Sequence, residues 1–174
     1  MTSEPVAAAT AAAAHDTLER ERRRWLNRLL FKANLWARLP LAACAGLRLL
    51  RLDDAGCTVR LPGGWRTRNP FGSAYFAAQM MAAELATGAP AMLLVRASPA
   101  SIAFILREAG GTFVKRVVGP STYTFVDVAG LRAALAAAAA GSEGVAYTAQ
   151  VTGSTAAGET ASTFAVTWSF KRRA

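Results

Sequence analysis

Histidine is nearly absent from this chain: the 174 residues hold one, His15, close to the N-terminal end. That argues against histidine-dependent nucleophile triads and histidine metal sites. Cysteine is as scarce. Cys44 and Cys57 stand in no metal-binding spacing and are too few for a disulfide framework, which suits a reducing cytoplasm. No apolar run approaches the ~18 residues that a membrane-spanning helix needs. The Ala-rich start, residues 1–14, has no Lys or Arg ahead of its apolar part, so it lacks the charged start of a secretory signal and reads as a disordered tail. There is no phosphate-cradling or dinucleotide-type glycine fingerprint. Aromatic and basic residues are not interleaved as in single-strand RNA readers. Metal, cofactor and nucleic acid are therefore not expected partners.

What is present is apolar and basic. Hydrophobic residues make up 53% and charged residues 18%, enough for one domain with a real core. The net charge of +9 gathers at two places. Arg20, Arg22, Arg23, Arg24, Arg28, Lys32 and Arg38 lie early, and Lys171, Arg172 and Arg173 lie late. Such charge reads as a solvated face and tail, as a landing strip for an anionic ligand, or as a membrane-surface contact.

Residues 15–38 carry Leu18, Trp25, Leu29 and Trp36 at helical spacing and read as a basic amphipathic helix laid against the domain, in preference to a membrane anchor. Leu47, Leu49 and Leu52 alternate with Arg48 and Arg51, then Asp53-Asp54-Ala55-Gly56 turns into Cys57 to Leu61, a hairpin. Beyond it, Asn69 to Gly88 reads as a loop feeding a long, nearly all-apolar helix. Ser73 is its expected N-cap, with a stop at Gly88-Ala89-Pro90 or a restart through Val95. Strands follow from Ser101 to Val118, with Gly110-Gly111 as an expected bulge or bend. Ser121 to Val128 is a further strand. A short Ala-rich helix over Gly130 to Ala140 and two closing strands complete the order. Runs of strands around one internal apolar helix give an α+β domain with an antiparallel sheet. An exposed sheet edge in such a domain commonly pairs with a second copy.

A lone carboxylate in an apolar helix is costly to bury, which singles out Glu84. A carboxylate can act on a carbonyl either as general base for an attacking water or as the nucleophile itself, and a backbone N–H at a helix start can hold the resulting oxyanion. The bland reading of Glu84 is a structural pair with an Arg or an exposed position. Asn69 reads as a substrate-positioning group or as a turn residue before Pro70.

The segments Arg68-Asn69-Pro70-Phe71-Gly72-Ser73-Ala74-Tyr75, Ala83-Glu84-Leu85-Ala86-Thr87-Gly88, Phe113 to Gly119 and Thr167-Trp168-Ser169-Phe170-Lys171, in that order, resemble the hotdog fold. That superfamily includes acyl-CoA thioesterases and acyl-thioester dehydratases, and the likeness is to a branch catalogued as a domain of unknown function. Against the phenylacetate-pathway type of thioesterase, Asn69 falls at the family's Asn and Glu84 at its catalytic carboxylate. Tyr75-Phe76-Ala77 stands where that family has His-Gly-Gly. The resemblance implies a hotdog domain over 39–174 and a cytoplasmic homodimer or dimer of dimers. Its pocket for acyl-CoA, or another acyl thioester, lies between protomers. It implies Glu84 and Asn69 as catalytic residues, with Gly72, Ser73, Tyr75, Phe76, Lys115 and Arg116 binding substrate, the last two against coenzyme A phosphates. It implies no cofactor. The alternative is a hotdog protein that binds an acyl thioester or acyl chain without turnover, which the Tyr75-Phe76-Ala77 departure favours. A third reading, ranked below these two, docks residues Arg20 to Arg38 on a membrane surface; membrane contact is not the expected partner.

Overall fold

A computed structural model describes the backbone of residues 4–173 and the side chains of residues 15–173. Six strands form one antiparallel sheet: β1 (Arg48–Asp53), β2 (Gly56–Leu61), β3 (Ile102–Phe113), β4 (Ser121–Phe125), β5 (Val145–Thr155) and β6 (Thr160–Arg172), ordered β1-β2-β4-β5-β6-β3. The helices are α1 (Glu4–Leu26), α2 (Arg28–Arg38), α3 (Pro40–Ala45), α4 (Phe76–Ala97) and α5 (Val128–Ala140). α4 packs against all six strands. A flat sheet of six strands is about 24 Å across, and a helix is about 10 Å wide, so the sheet must curl around α4 to touch it everywhere. This is the hotdog arrangement, in an α+β fold.

α4 is long and apolar enough, by length and composition, to cross a membrane. That corrects the sequence expectation of no such run. Its apolar surface goes instead into the core, where Ala82, Ala83, Ala86, Ala89 and Leu93 are buried against the sheet. The helix also runs on past the expected stop at Gly88. Pro90 lies inside it and is buried, and the packing of Leu93 and Leu94 outweighs the roughly 3 kcal/mol that an interior proline costs.

The early helix is not continuous over 15–38. It breaks at Asn27, whose side chain accepts hydrogen bonds from the backbone N–H of Leu29 and Leu30 and so caps α2. Of the tail expected over 1–14, residues 1–3 lie outside the described residues, and Glu4 to Ala14 have a helical backbone within α1. α1 docks through Arg22, which donates to Glu19 and to Asp54 in the β1–β2 turn.

In β3 the irregularity falls between Leu106 and Glu108, not at the glycine pair. Gly111 has a different reason: a Cβ there would sit 2.6 Å from the ring of Phe164. The closing strand alternates as its sequence reads, with Phe164, Val166, Trp168 and Phe170 buried. β4 ends at Phe125, and Asp127 then caps α5 by accepting from the N–H of Gly130.

Candidate active site at the exposed stripe of helix α4

Most of α4 is buried, but Ala77, Met80, Met81, Glu84, Gly88, Met92 and Val95 are only half-buried. They recur at three- and four-residue intervals and form one stripe along the helix. Glu84 is the only charge on it. Its carboxylate has no hydrogen-bond or ion-pair partner among the described residues, so both bland expectations, an Arg pair and full exposure, are replaced by a half-buried, unpartnered acid. Burial pushes its pKa above the ordinary 4.5.

Glu84 opens onto a groove of about 320 Å³ between α4 and the α2–α3 junction, walled by Leu39, Pro40, Leu41, Met81 and Leu85 with Arg38 at one side. On the other side, a Cβ on Gly88 would lie 3.1 Å from Glu84 Oε1 and 3.3 Å from the Trp168 ring, so this glycine makes room for the carboxylate. Trp168 is itself fixed: its Nε1 donates to Thr87 Oγ1 at 2.9 Å, and that hydroxyl donates to the carbonyl of Glu84, also at 2.9 Å. The sequence does not single out Arg38, Leu41, Gly88 or Trp168 for this site. The four-residue spacing of Glu84 and Gly88 was the one available signal.

Asn69 folds back on its own loop. Its Oδ1 accepts from the N–H groups of Phe71 and Ser73 at 3.0 and 3.1 Å, and its Nδ2 donates to Ser73 Oγ at 3.1 Å. This uses Ser73 as well, so Ser73 is not the cap of α4. Tyr75 is the N-cap residue, and among the described residues no side chain caps the helix. The backbone explains the shift: Ala74 N–H donates to Val117 and Tyr75 N–H to Thr67, which keeps both residues extended. The N–H groups of Phe76 and Ala77 then have no partner among the described residues. Gly72 turns with φ +78°.

Tyr75 and Phe76 are exposed at this helix mouth, their rings edge to face with centroids 4.8 Å apart. Arg116 donates to the Phe71 carbonyl at 2.6 Å and so braces the loop. Lys115 pairs with Glu159 at 2.7 Å on an exposed surface. Asn69, Gly72, Ser73, Tyr75, Phe76 and Arg116 are thus brought together around the start of α4. Glu84 lies eight residues further on, about 12 Å along the helix axis. Gln79, on the buried face, bonds Ala74 and Ser162 instead. Among the described residues no cluster of His, Cys, Asp and Glu could hold a metal ion.

Solved structures share this architecture. A Pseudomonas aeruginosa protein of unknown function, described as a probable thioesterase, matches with 22% identity and a TM-score of 0.67 over 82% of this chain and 95% of its own. A Chlorobaculum tepidum protein of unknown function matches with 12% identity and a TM-score of 0.70 over 85% and 98%. A Haemophilus influenzae thioesterase matches with 13% identity and a TM-score of 0.60 over 80% and 88%. At these identities the likeness is one of fold. No curated protein matches the sequence. A family described as a domain of unknown function, DUF4442, matches residues 27–169. With most of its length matched and its sheet curled around one long helix, this hotdog-fold chain belongs to the DUF4442 family.

Proposed function

We propose that this protein hydrolyses acyl thioesters, with acyl-CoA as the leading substrate class. The observation that carries the proposal is Glu84: an unpartnered, half-buried carboxylate facing an apolar groove from the one uncovered stripe of α4. Named thioesterases among the structural neighbours support the reaction class.

Water attacks the thioester carbonyl carbon while Glu84 takes its proton. The oxyanion of the tetrahedral intermediate is held by the free N–H groups of Phe76 and Ala77 at the positive end of the helix. The C–S bond then breaks, and the thiolate leaves with the proton from Glu84, giving a carboxylic acid and a thiol. The raised pKa of Glu84 makes it a stronger base at neutral pH. Direct attack by the carboxylate is the nucleophilic variant.

Asn69 shapes the loop, and its Nδ2 keeps one hydrogen for substrate or water. Arg116 reaches this loop at the Phe71 carbonyl, and Lys115 meets Glu159. The Lys115–Glu159 pair is exposed, so a coenzyme A phosphate displaces Glu159 at small cost.

A helix mouth about 12 Å from the acid along one axis is too far for a single carbonyl. A second copy solves this. β3 is an unpaired edge, and from Ile105 onward its residues are exposed. Ile105, Leu106 and Phe113 of this strand leave much of their apolar surface exposed, as do Val114, Phe71 and Phe76. We place the second copy there, with the Glu84 of one protomer facing the helix mouth of its partner, in a homodimer or a dimer of dimers in the cytoplasm.

The second reading is binding without turnover, favoured by the Tyr75–Phe76 ring pair at the mouth. Free-thiol release from short, long and aromatic acyl-CoAs, for wild type and Glu84→Ala, decides between them. Turnover lost in the variant supports hydrolysis. No turnover, with acyl-CoA still raising the melting temperature, makes this a binding protein.

A further inference from the structure

A second and larger groove, of about 1180 Å³, lies between α2 and β1 and extends to the loop after β2. It is far from β3, at the opposite edge of the sheet. Its floor is apolar: Phe31, Leu35, Leu47 and Leu49 are buried there. Its rim carries Arg28, Lys32, Arg48, Arg60 and Arg66, and among the described residues no carboxylate lines it. None of the five cations has a hydrogen-bond or ion-pair partner among the described residues; Arg66 only stacks over Trp65.

Around these cations stand apolar side chains that the fold leaves in water. Leu29 is 80% exposed and Trp65 79%, with Leu30, Trp36 and Leu50 about half exposed. The sequence reading laid the basic helix against the domain. α2 does turn Phe31 and Leu35 inward, but its other apolar residues face outward. A patch of this kind, apolar and ringed by unpaired cations, marks an interaction surface.

We infer that the α2–β1 face docks on an anionic phospholipid surface, with Leu29, Trp36 and Trp65 entering the headgroup boundary and the five cations meeting lipid phosphates. A second copy is a poor occupant, since a two-fold contact would set these cations against themselves. Nucleic acid would satisfy the cations but leave Leu29, Leu30 and Leu50 in water. The inference is independent of the thioester chemistry.

The test is cosedimentation of the full chain with phosphatidylcholine vesicles and with vesicles of equal parts phosphatidylcholine and phosphatidylglycerol, at low and high salt. The expected result is binding to the anionic vesicles alone, released by salt. Each cation near such a surface is worth about fivefold in affinity. Arg28→Gln with Lys32→Gln should therefore weaken binding about 25-fold. Leu29→Ser with Trp65→Ser should weaken it at unchanged charge, and Lys171→Gln with Arg173→Gln, at the other edge, should leave it intact. All these positions are exposed, and circular dichroism verifies the fold. Equal binding to both vesicle types, binding to neither, or equal loss in the Lys171/Arg173 control overturns the inference. So does binding of a single-stranded oligonucleotide through the same residues with vesicles left unbound.

Discussion

Trp168 Nε1 donates a 2.9 Å hydrogen bond to Thr87 Oγ1, joining strand β6 to helix α4 beside Glu84. Both residues are buried. Thr87→Val keeps the shape and strands the indole N–H, at a cost of about 2 kcal/mol. The melting temperature should fall by about 6 °C, and Thr87→Ser should restore most of it. A Thr87→Val protein as stable as wild type would show that the bond contributes nothing.

Glu84 has its folded-state pKa raised by burial. The folded protein therefore holds this proton more tightly than the unfolded chain, and stability falls as pH rises from about the ordinary value of 4.5 through the raised one. Glu84→Gln removes that penalty. It should melt higher than wild type at pH 7, with the difference vanishing toward pH 4. Thioester turnover should fall by about 100-fold or more. The acid limb of the wild-type rate profile should lie above pH 4.5, where Glu84 loses its proton.

Gly88→Ala sets helix propensity against crowding. Alanine gains about 1 kcal/mol over glycine in a helix interior. The new methyl meets Glu84 Oε1 at 3.1 Å and the pinned Trp168 ring at 3.3 Å. Glu84 is the side chain free to move. Stability should stay within about 1 kcal/mol of wild type, while kcat falls several-fold. An unchanged kcat would separate the carboxylate's position from turnover.

Arg22 ties α1 to the β1–β2 turn through Asp54, which also meets Arg132 at 2.7 Å. Arg22→Ala should cost about 2 kcal/mol and make α1 the first site of limited proteolysis. The Arg22 guanidinium holds the Asp54 carboxyl below its ordinary 3.8. Stability from this pair is complete above that value and is lost as pH falls through the lowered one. Below it, the gap between wild type and Arg22→Ala should narrow.

Ile105 sits on the unpaired β3 edge, largely exposed. Light scattering should give wild type at least the mass of a dimer. Ile105→Lys with Val114→Lys should give a folded monomer without thioester turnover. A wild-type monomer that hydrolyses acyl-CoA would remove the shared site.

Strands were legible because their alternation is local: β5, β6 and the β1–β2 hairpin follow from the pattern of apolar residues and turns. Other features are decided by residues elsewhere in the chain. Asn27 looks the same inside a helix as at a cap. Tyr75 became the N-cap because Thr67 and Val117 hold Tyr75 and Ala74 extended, and neither is a sequence neighbour of the helix. Pro90 stays helical because the sheet holds the turns beyond it. For the site, Glu84 stands out in the sequence as the lone carboxylate of an apolar helix, but its lack of a partner depends on how α2 and α3 lie over α4. The sequence leaves Asn69 two roles, and its turn role is visible in the side-chain hydrogen bonds to its own loop.

That loop is knotted to itself through Asn69 and Ser73 and braced from outside by Arg116. The conformational entropy of residues 69–73 is thus given up when the chain folds, not when a ligand arrives. The N–H groups at the helix mouth stand preorganised, and an anionic or polarised oxygen reaching them meets dipoles that need no reorientation. Under the proposed function, association of substrate at this end of the molecule is a rigid docking event, limited by encounter and desolvation and free of any loop-ordering step.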